Sequence, residues 1–163
     1  MSKDSSERLA ELEAEQHELV FPSFDNTDAW RMGCLITGIA LEAGHAVVVD
    51  IRRPGLILFR ASLAGTAPDQ EEWVRGKSAV VFRMEASTAL VAERFASQGI
   101  DPLTSWLRLP EYAVAGGSVP VRVAGVGVVA AVTASGLASD EDHRLIVQGM
   151  RTYLNDIVGE GGA

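Results

Sequence analysis

The sequence predicts an α+β fold: one domain built on an antiparallel sheet of about five strands, with helices packed on it. Three observations predict it. Apolar, strand-like runs are joined by hairpin-length breaks at Pro54-Gly55 and Ala124-Gly125, and connections that short pair neighbours antiparallel. Val119, Val121 and Val123 alternate with Pro120, Arg122 and Ala124, the period of a half-buried strand. Runs with helical spacing stand before, between and after these strands. The order therefore reads helix, two strands, two or three helices, about three strands, helix.

Residues 1–23 read as a lead-in helix and linker, Glu-rich, with Leu9, Leu12 and Leu19 in a thin stripe. The expectation is a mostly solvated helix, or an arm that stabilises an oligomer. Phe21-Pro22-Ser23 breaks it. Residues 24–158 read as a single domain. Asp25 or Asn26 caps its first helix, in which only Thr37 and Glu42 are clearly polar between Met32 and Ala43. A helix apolar nearly all round must be buried in a core or against a partner chain. Gly44 ends it. His45–Ile51 and Leu56–Leu63 are strands around the Pro54-Gly55 turn. Thr66 has capping-box spacing to Asp69 and opens a helix carrying Trp73, Lys77, Val80, Val81 and Met84. Ser87 starts a further helix that stops at Gly99, and Asp101-Pro102 opens a short turn carrying Trp106. Gly116-Gly117 removes two Cβ atoms where the chain must bend or let a neighbour approach. Pro120 cannot donate to a ladder, which places its strand at an edge or at a strand beginning. Val126–Ala134 is small and apolar on both faces, as in a covered strand. Ser139 and Asp142 have capping-box spacing for a last helix with Leu145, Gly149, Tyr153 and Ile157 on one face. Residues 159–163 read as a flexible tail.

Composition narrows the function classes. A net charge of −8 argues against a general nucleic-acid or anionic-membrane binder, since phosphates need a basic face. One cysteine, Cys34, rules out an internal disulfide framework and a Cys-rich metal site; within an apolar helix it reads as an inert core thiol. No apolar run approaches a spanning helix, and the acidic N-terminus is unlike a signal peptide. A cytoplasmic protein is expected.

Two separated stretches carry a family resemblance. GGSVPVRV at Gly116–Val123 is followed by ASGL at Ala134–Leu137, an acidic cap and Asp142-His143. The second stretch is DIRRPGLILFRASLAGTAPDQEEWVRGK, Asp50–Lys77. Together they resemble the haem-degrading-domain (GlcG/HbpS-like) family, closest to its uncharacterised cytosolic branch, over roughly Phe24–Met150. Ala115 stands where related chains often carry a polar residue or His, and Ala130 where they often carry Gly. The resemblance implies a profilin-like or GAF/PAS-like sandwich, a closed homo-oligomer, and haem as ligand.

The candidate site residues are His143, Gly116, Gly117, Arg52, Arg53 and Lys77. His143 falls early in the last helix, where the macrodipole disfavours an imidazolium; a neutral ring can ligate a metal, haem iron included, or simply bond a nearby carbonyl. Asp142 reads as the capping carboxylate. Arg52, Arg53 and Lys77 make an anion site, suited to haem propionates, if the strand end meets the helix carrying Trp73; otherwise they are surface or paired charges. Trp73 reads as core. The three histidines have no metal-ligand spacing, so no metal site is assigned. Ser135 lacks a nucleophile elbow, and Gly125-Val126-Gly127 sits in a hairpin rather than opening a helix. No catalytic constellation emerges. Three functions remain: a small-ligand binding or sensing module with haem as the family-implied ligand, a non-catalytic homo-oligomeric assembly protein, and a haem-degrading enzyme.

Overall fold

The structure, a computed structural model, describes residues 3–161. In chain order it runs α1 (Lys3–Glu18), β1 (Val20–Phe21), α2 (Asn26–Glu42), β2 (Val48–Arg53), β3 (Leu56–Ser62), α3 (Asp69–Met84), α4 (Thr88–Ser97), a 3₁₀ turn (Pro102–Thr104), β4 (Ser118–Val123), β5 (Gly127–Ser135) and α5 (Ser139–Gly161). The class is α+β, as predicted. Five strands form one sheet in the order β1-β4-β5-β2-β3. β2 pairs antiparallel with β3 and β5, and β4 antiparallel with β5. β1 joins β4 in parallel, so the sheet is mixed. The two strands are far apart in sequence, and no hairpin dictates their sense. β4 is not an edge strand along its whole length, but β1 covers it only at Arg122 and Val123. Pro120 thus lies where the missing N–H has no ladder to break.

Alternation along the strands sorts the two faces. Val49 and Ile51, Val119 and Val121, and Ala130, Val132 and Ala134 enter the main core with Met32 and Ile36 of α2 and Ile146 and Met150 of α5. The opposite face, on which α3 packs, carries a buried polar layer: Asp50, Ser118, Thr133 and Ser135. That layer is bonded. Ser118 and Thr133 hydroxyls lie 2.8 Å apart, and Thr88 Oγ1 accepts the Ser118 N–H.

Three local expectations are corrected. Leu12 of α1 is 1% exposed and packs with Leu90, Phe95 and Leu107 in a second apolar cluster, so the lead-in helix is docked rather than solvated. Its thin stripe meets a complementary face of α4 that spacing along α1 cannot reveal. Cys34 is exposed, because α2 buries Ala29, Met32, Gly33, Ile36 and Ala40 and turns residue 34 outward. α5 continues through Gly161 where a flexible tail was expected; residues 1, 2, 162 and 163 lie outside the described residues. Caps vary likewise. Asp25 forms the capping box of α2 with Asp28. α3 begins after Pro68 without a side-chain cap; the Thr66 hydroxyl donates to the Leu63 carbonyl instead. No described helix is long and apolar enough to cross a membrane.

Candidate functional site

The site forms where β5 ends and α5 begins. α3 and α5 lie on opposite faces of the sheet, and Lys77 of α3 reaches past the strand end to join them. Its Nζ donates to the Ala134 carbonyl and to Asp142 Oδ2, each at 3.1 Å. The other Asp142 oxygen accepts the Leu137 N–H at 3.1 Å. Lys77 is 3% exposed and Asp142 1%. Burial pushes the Lys77 amine below the usual lysine value and the Asp142 carboxyl above the usual aspartate value, each opposed by the partner's charge. Both shifts favour the neutral forms.

Asp142 is available for this pairing because it does not cap the helix. The Glu141 and Asp142 N–H groups close on the Ala138 carbonyl, and Glu141 returns its carboxylate to the Ala138 N–H at 3.4 Å. The first turn therefore starts one residue before the expected Ser139, and Glu141 takes the reciprocal role. The two Gly residues share the same cause. At Gly117, with φ of +132°, a Cβ would lie 2.6 Å from the Ala134 oxygen and 2.8 Å from Lys77 Nζ. At Gly116 it would lie 2.7 Å from the Ser139 oxygen. The bend presses directly on the Lys77–Asp142 pair and on the start of α5.

Above the pair is a groove of about 260 Å³, lined by Gln70, Trp73, Lys77, Ala115, Ser135, Gly136, Leu137, Ser139 and Asp142. Trp73 is half-buried and its Nε1 donates to Asp69 at 3.1 Å. It forms a groove wall, not core. The buried face of α3 runs through Val74, Lys77, Val80 and Val81, so Lys77, Val80 and Val81 lie on it as expected and Val74 takes the place expected of Trp73.

The structure brings Lys77, Gly116 and Gly117 together and separates the other three candidates. Arg52 donates to Asp50, at 2.7 Å and 3.0 Å, on the polar face of the sheet. Arg60 donates to Asp50 and Glu71, which makes a charge-balanced group of two arginines and two carboxylates. Arg53 is exposed, beside Phe24 and Pro54. The expected arginine–lysine anion site does not assemble. His143 is 1% exposed, and its Nε2 lies 2.7 Å from Glu15 Oε1 of α1. His143 Nδ1 is buried without a hydrogen-bond partner among the described residues. A larger groove of about 720 Å³ runs along the α1–α5 seam beside it, lined by Arg8, Glu11, Glu15 and Glu18 of α1 and by Arg144 and Arg151 of α5. Sequence reasoning missed the partners, Asp142 for Lys77 and Glu15 for His143. The only available signal for the first was the pair of glycines, which announced a close approach without naming what approached.

Comparison with known proteins follows the same region. The family described as "Haem degrading protein HbpS-like" matches residues 24–151. A UPF0303 protein of Streptomyces coelicolor is 45% identical over 149 residues, covering 91% of this chain and 94% of the relative. The crystal structure of the Ybr137w protein superposes with a TM-score of 0.82 at 27% identity, over 92% of this chain and 89% of that one. PduOC in its complex with haem superposes with a TM-score of 0.66 at 19% identity, over 83% and 96%.

Proposed function

The chain belongs to the HbpS-like haem degrading protein family, and we propose that within it this protein is a small-ligand binding module whose ligand enters the groove over Lys77. One observation carries the reading: a lysine 3% exposed, with a single anionic partner among the described residues, forms the floor of a groove that polar groups and an indole also line. Convergent polar groups in a partly apolar cleft are the usual make-up of a ligand site. Gln70, Ser135 and Ser139 supply hydrogen-bonding groups, Trp73 a flat apolar wall, and Lys77 a donor for a carbonyl or carboxylate oxygen.

Haem, the ligand of the PduOC complex, tests this reading. Its propionates suit Lys77, but among the described residues no His, Cys, Met or Tyr lines the groove to reach its iron. His143 has a side chain only 2% exposed and a ring nitrogen already held by Glu15. The residues present do not fit haem iron with His143 as axial ligand while α1 is docked. A haemin titration followed at the Soret band should therefore show no shift that depends on His143. A shifted band lost in His143→Gln would establish the haem reading in place of this one. The direct check is thermal: small 2-oxo and 2-hydroxy acids should raise the melting midpoint of the parent and not of Lys77→Met. A second reading, self-association, is favoured by the outward face of α2, where Trp30 and Leu41 are each 62% exposed.

A further inference from the structure

The chain contains two lysines and twelve arginines. The cations that pair with Asp50, Glu13, Glu18 and Glu71 are arginines. Position 77 departs from that usage at the most buried Lys/Arg–carboxylate pair among the described residues. An arginine fork would pin α3 to α5 as well and cannot lose its proton; a lysine can. The amine also borders a groove, which a purely structural pin does not require. We propose that Lys77 is a reactive amine that condenses with the carbonyl of a small 2-oxo acid to form a Schiff base, with Asp142 as the proton carrier. This rests on the reading of the groove as the ligand site.

The geometry supplies each requirement. Asp142 Oδ2 is 3.1 Å from Nζ, within range to take a proton from it. Burial of both groups favours the neutral amine and the neutral acid, the pair needed for attack. Gly117 lets the backbone close against the amine, since a Cβ there would stand 2.8 Å from Nζ, and the groove is the remaining open side. The groove of about 260 Å³ has room for a small carbonyl compound beside Nζ.

The steps balance without an oxidant or reductant. The ammonium proton passes to Asp142, and the nitrogen lone pair forms a C–N bond at the carbonyl carbon. Asp142 protonates the resulting alkoxide and recovers a proton from the nitrogen. It then delivers that proton to the hydroxyl, which leaves as water. The product is a protonated imine, and Asp142 is again a carboxylate beside a cation.

Glyoxylate with sodium borohydride is the test on the native full-length chain. The expected result is one carboxymethyl group per chain, beyond a borohydride-only control, mapped by peptide mass to Lys77 and lost in Lys77→Arg. Labelling confined to Lys3 or the N-terminal amine, or no labelling, overturns the proposal; this arm uses the parent protein and does not depend on how the variant folds. Glycolate, which has no carbonyl, separates the two levels. Thermal stabilisation by glycolate with no adduct at Lys77 removes the amine chemistry and leaves the ligand groove. Neither stabilisation nor adduct removes both.

Discussion

At the scale of single residues, the buried pair and the glycine beside it make separate demands. Gly117 combines a φ of +132° with three contacts shorter than 3.0 Å for any added Cβ. Gly117→Val should cost at least the ~1–3 kcal/mol of a strained backbone position, measured by urea unfolding, while Gly161→Val, with nothing within 4 Å among the described residues, should cost little. Equal midpoints for Gly117→Val and the parent would show an ordinary bend. Lys77→Met leaves Asp142 buried and unpaired, which typically costs about 3–5 kcal/mol, whereas replacing both partners by apolar residues costs much less. The pH dependence has a definite sign. With its folded-state pKa raised by burial, Asp142 binds more protons folded than unfolded. Its stabilising contribution is complete below the unfolded value of about 3.9 and is lost as pH rises through the folded one. The deficit of Lys77→Met should therefore narrow on going from pH 7 to pH 4; a constant deficit would mean that Asp142 finds another cation. None of this was visible in spacing along the chain, because Lys77 and Asp142 meet only when helices on opposite faces of the sheet converge.

Among the elements, α1 is the one whose character the sequence understated. Its leucine stripe is narrow and its residues are mostly polar, the pattern of a solvated helix. Docking against α4 nevertheless buries Leu12 almost completely and brings Glu15 onto His143 of α5 and Glu13 onto Arg94 of α4. Leu12→Ala should cost about 2–5 kcal/mol, the range for a fully buried leucine, where a solvated helix would lose almost nothing. His143 gains its partner from α1, not from the acidic residues adjacent to it in sequence. Glu15→Ala and His143→Gln should then be non-additive, with a coupling of about 0.5–3 kcal/mol in a double-mutant cycle. Strict additivity in thermal or urea unfolding would show that the contact carries no energy. The hairpins were easier to read. Gly55 and Gly125 both hold positive φ at the turns where Pro54-Gly55 and Ala124-Gly125 announced them, since local turn chemistry needs no tertiary partner.

The α+β class and the strand order within each hairpin follow from period and turn residues, and the structure agrees with them. The parallel addition of β1 and the polar second face of the sheet depend on contacts between distant segments, which a linear pattern does not encode. The apolar character of α2 was legible and its consequence at the level of the whole molecule can be placed more exactly. Its inward residues, Met32, Ile36 and Ala40, are fully buried in the chain's own core. Ile39 is partly buried against that core, so Ile39→Asp would disturb folding as well as any assembly. The outward side still carries Trp30 and Leu41, with Cys34 between them, and α2 lies against β3, the edge strand, where Leu56 and Ile57 are 52% and 49% exposed. An open edge beside an exposed apolar helix face is an unusual combination for a monomer, because it offers both backbone pairing and apolar burial to another chain. We propose that a second copy covers it. Light scattering at micromolar concentration should give a mass above the 17.3 kDa of one chain. Leu41→Asp should reduce that mass toward one chain, and Trp30→Asp should do so at the added cost of its edge-to-face contact with Phe59, 5.8 Å between ring centroids. A parent protein that is monomeric under those conditions, or a Leu41→Asp variant of unchanged mass, would remove α2 from any interface.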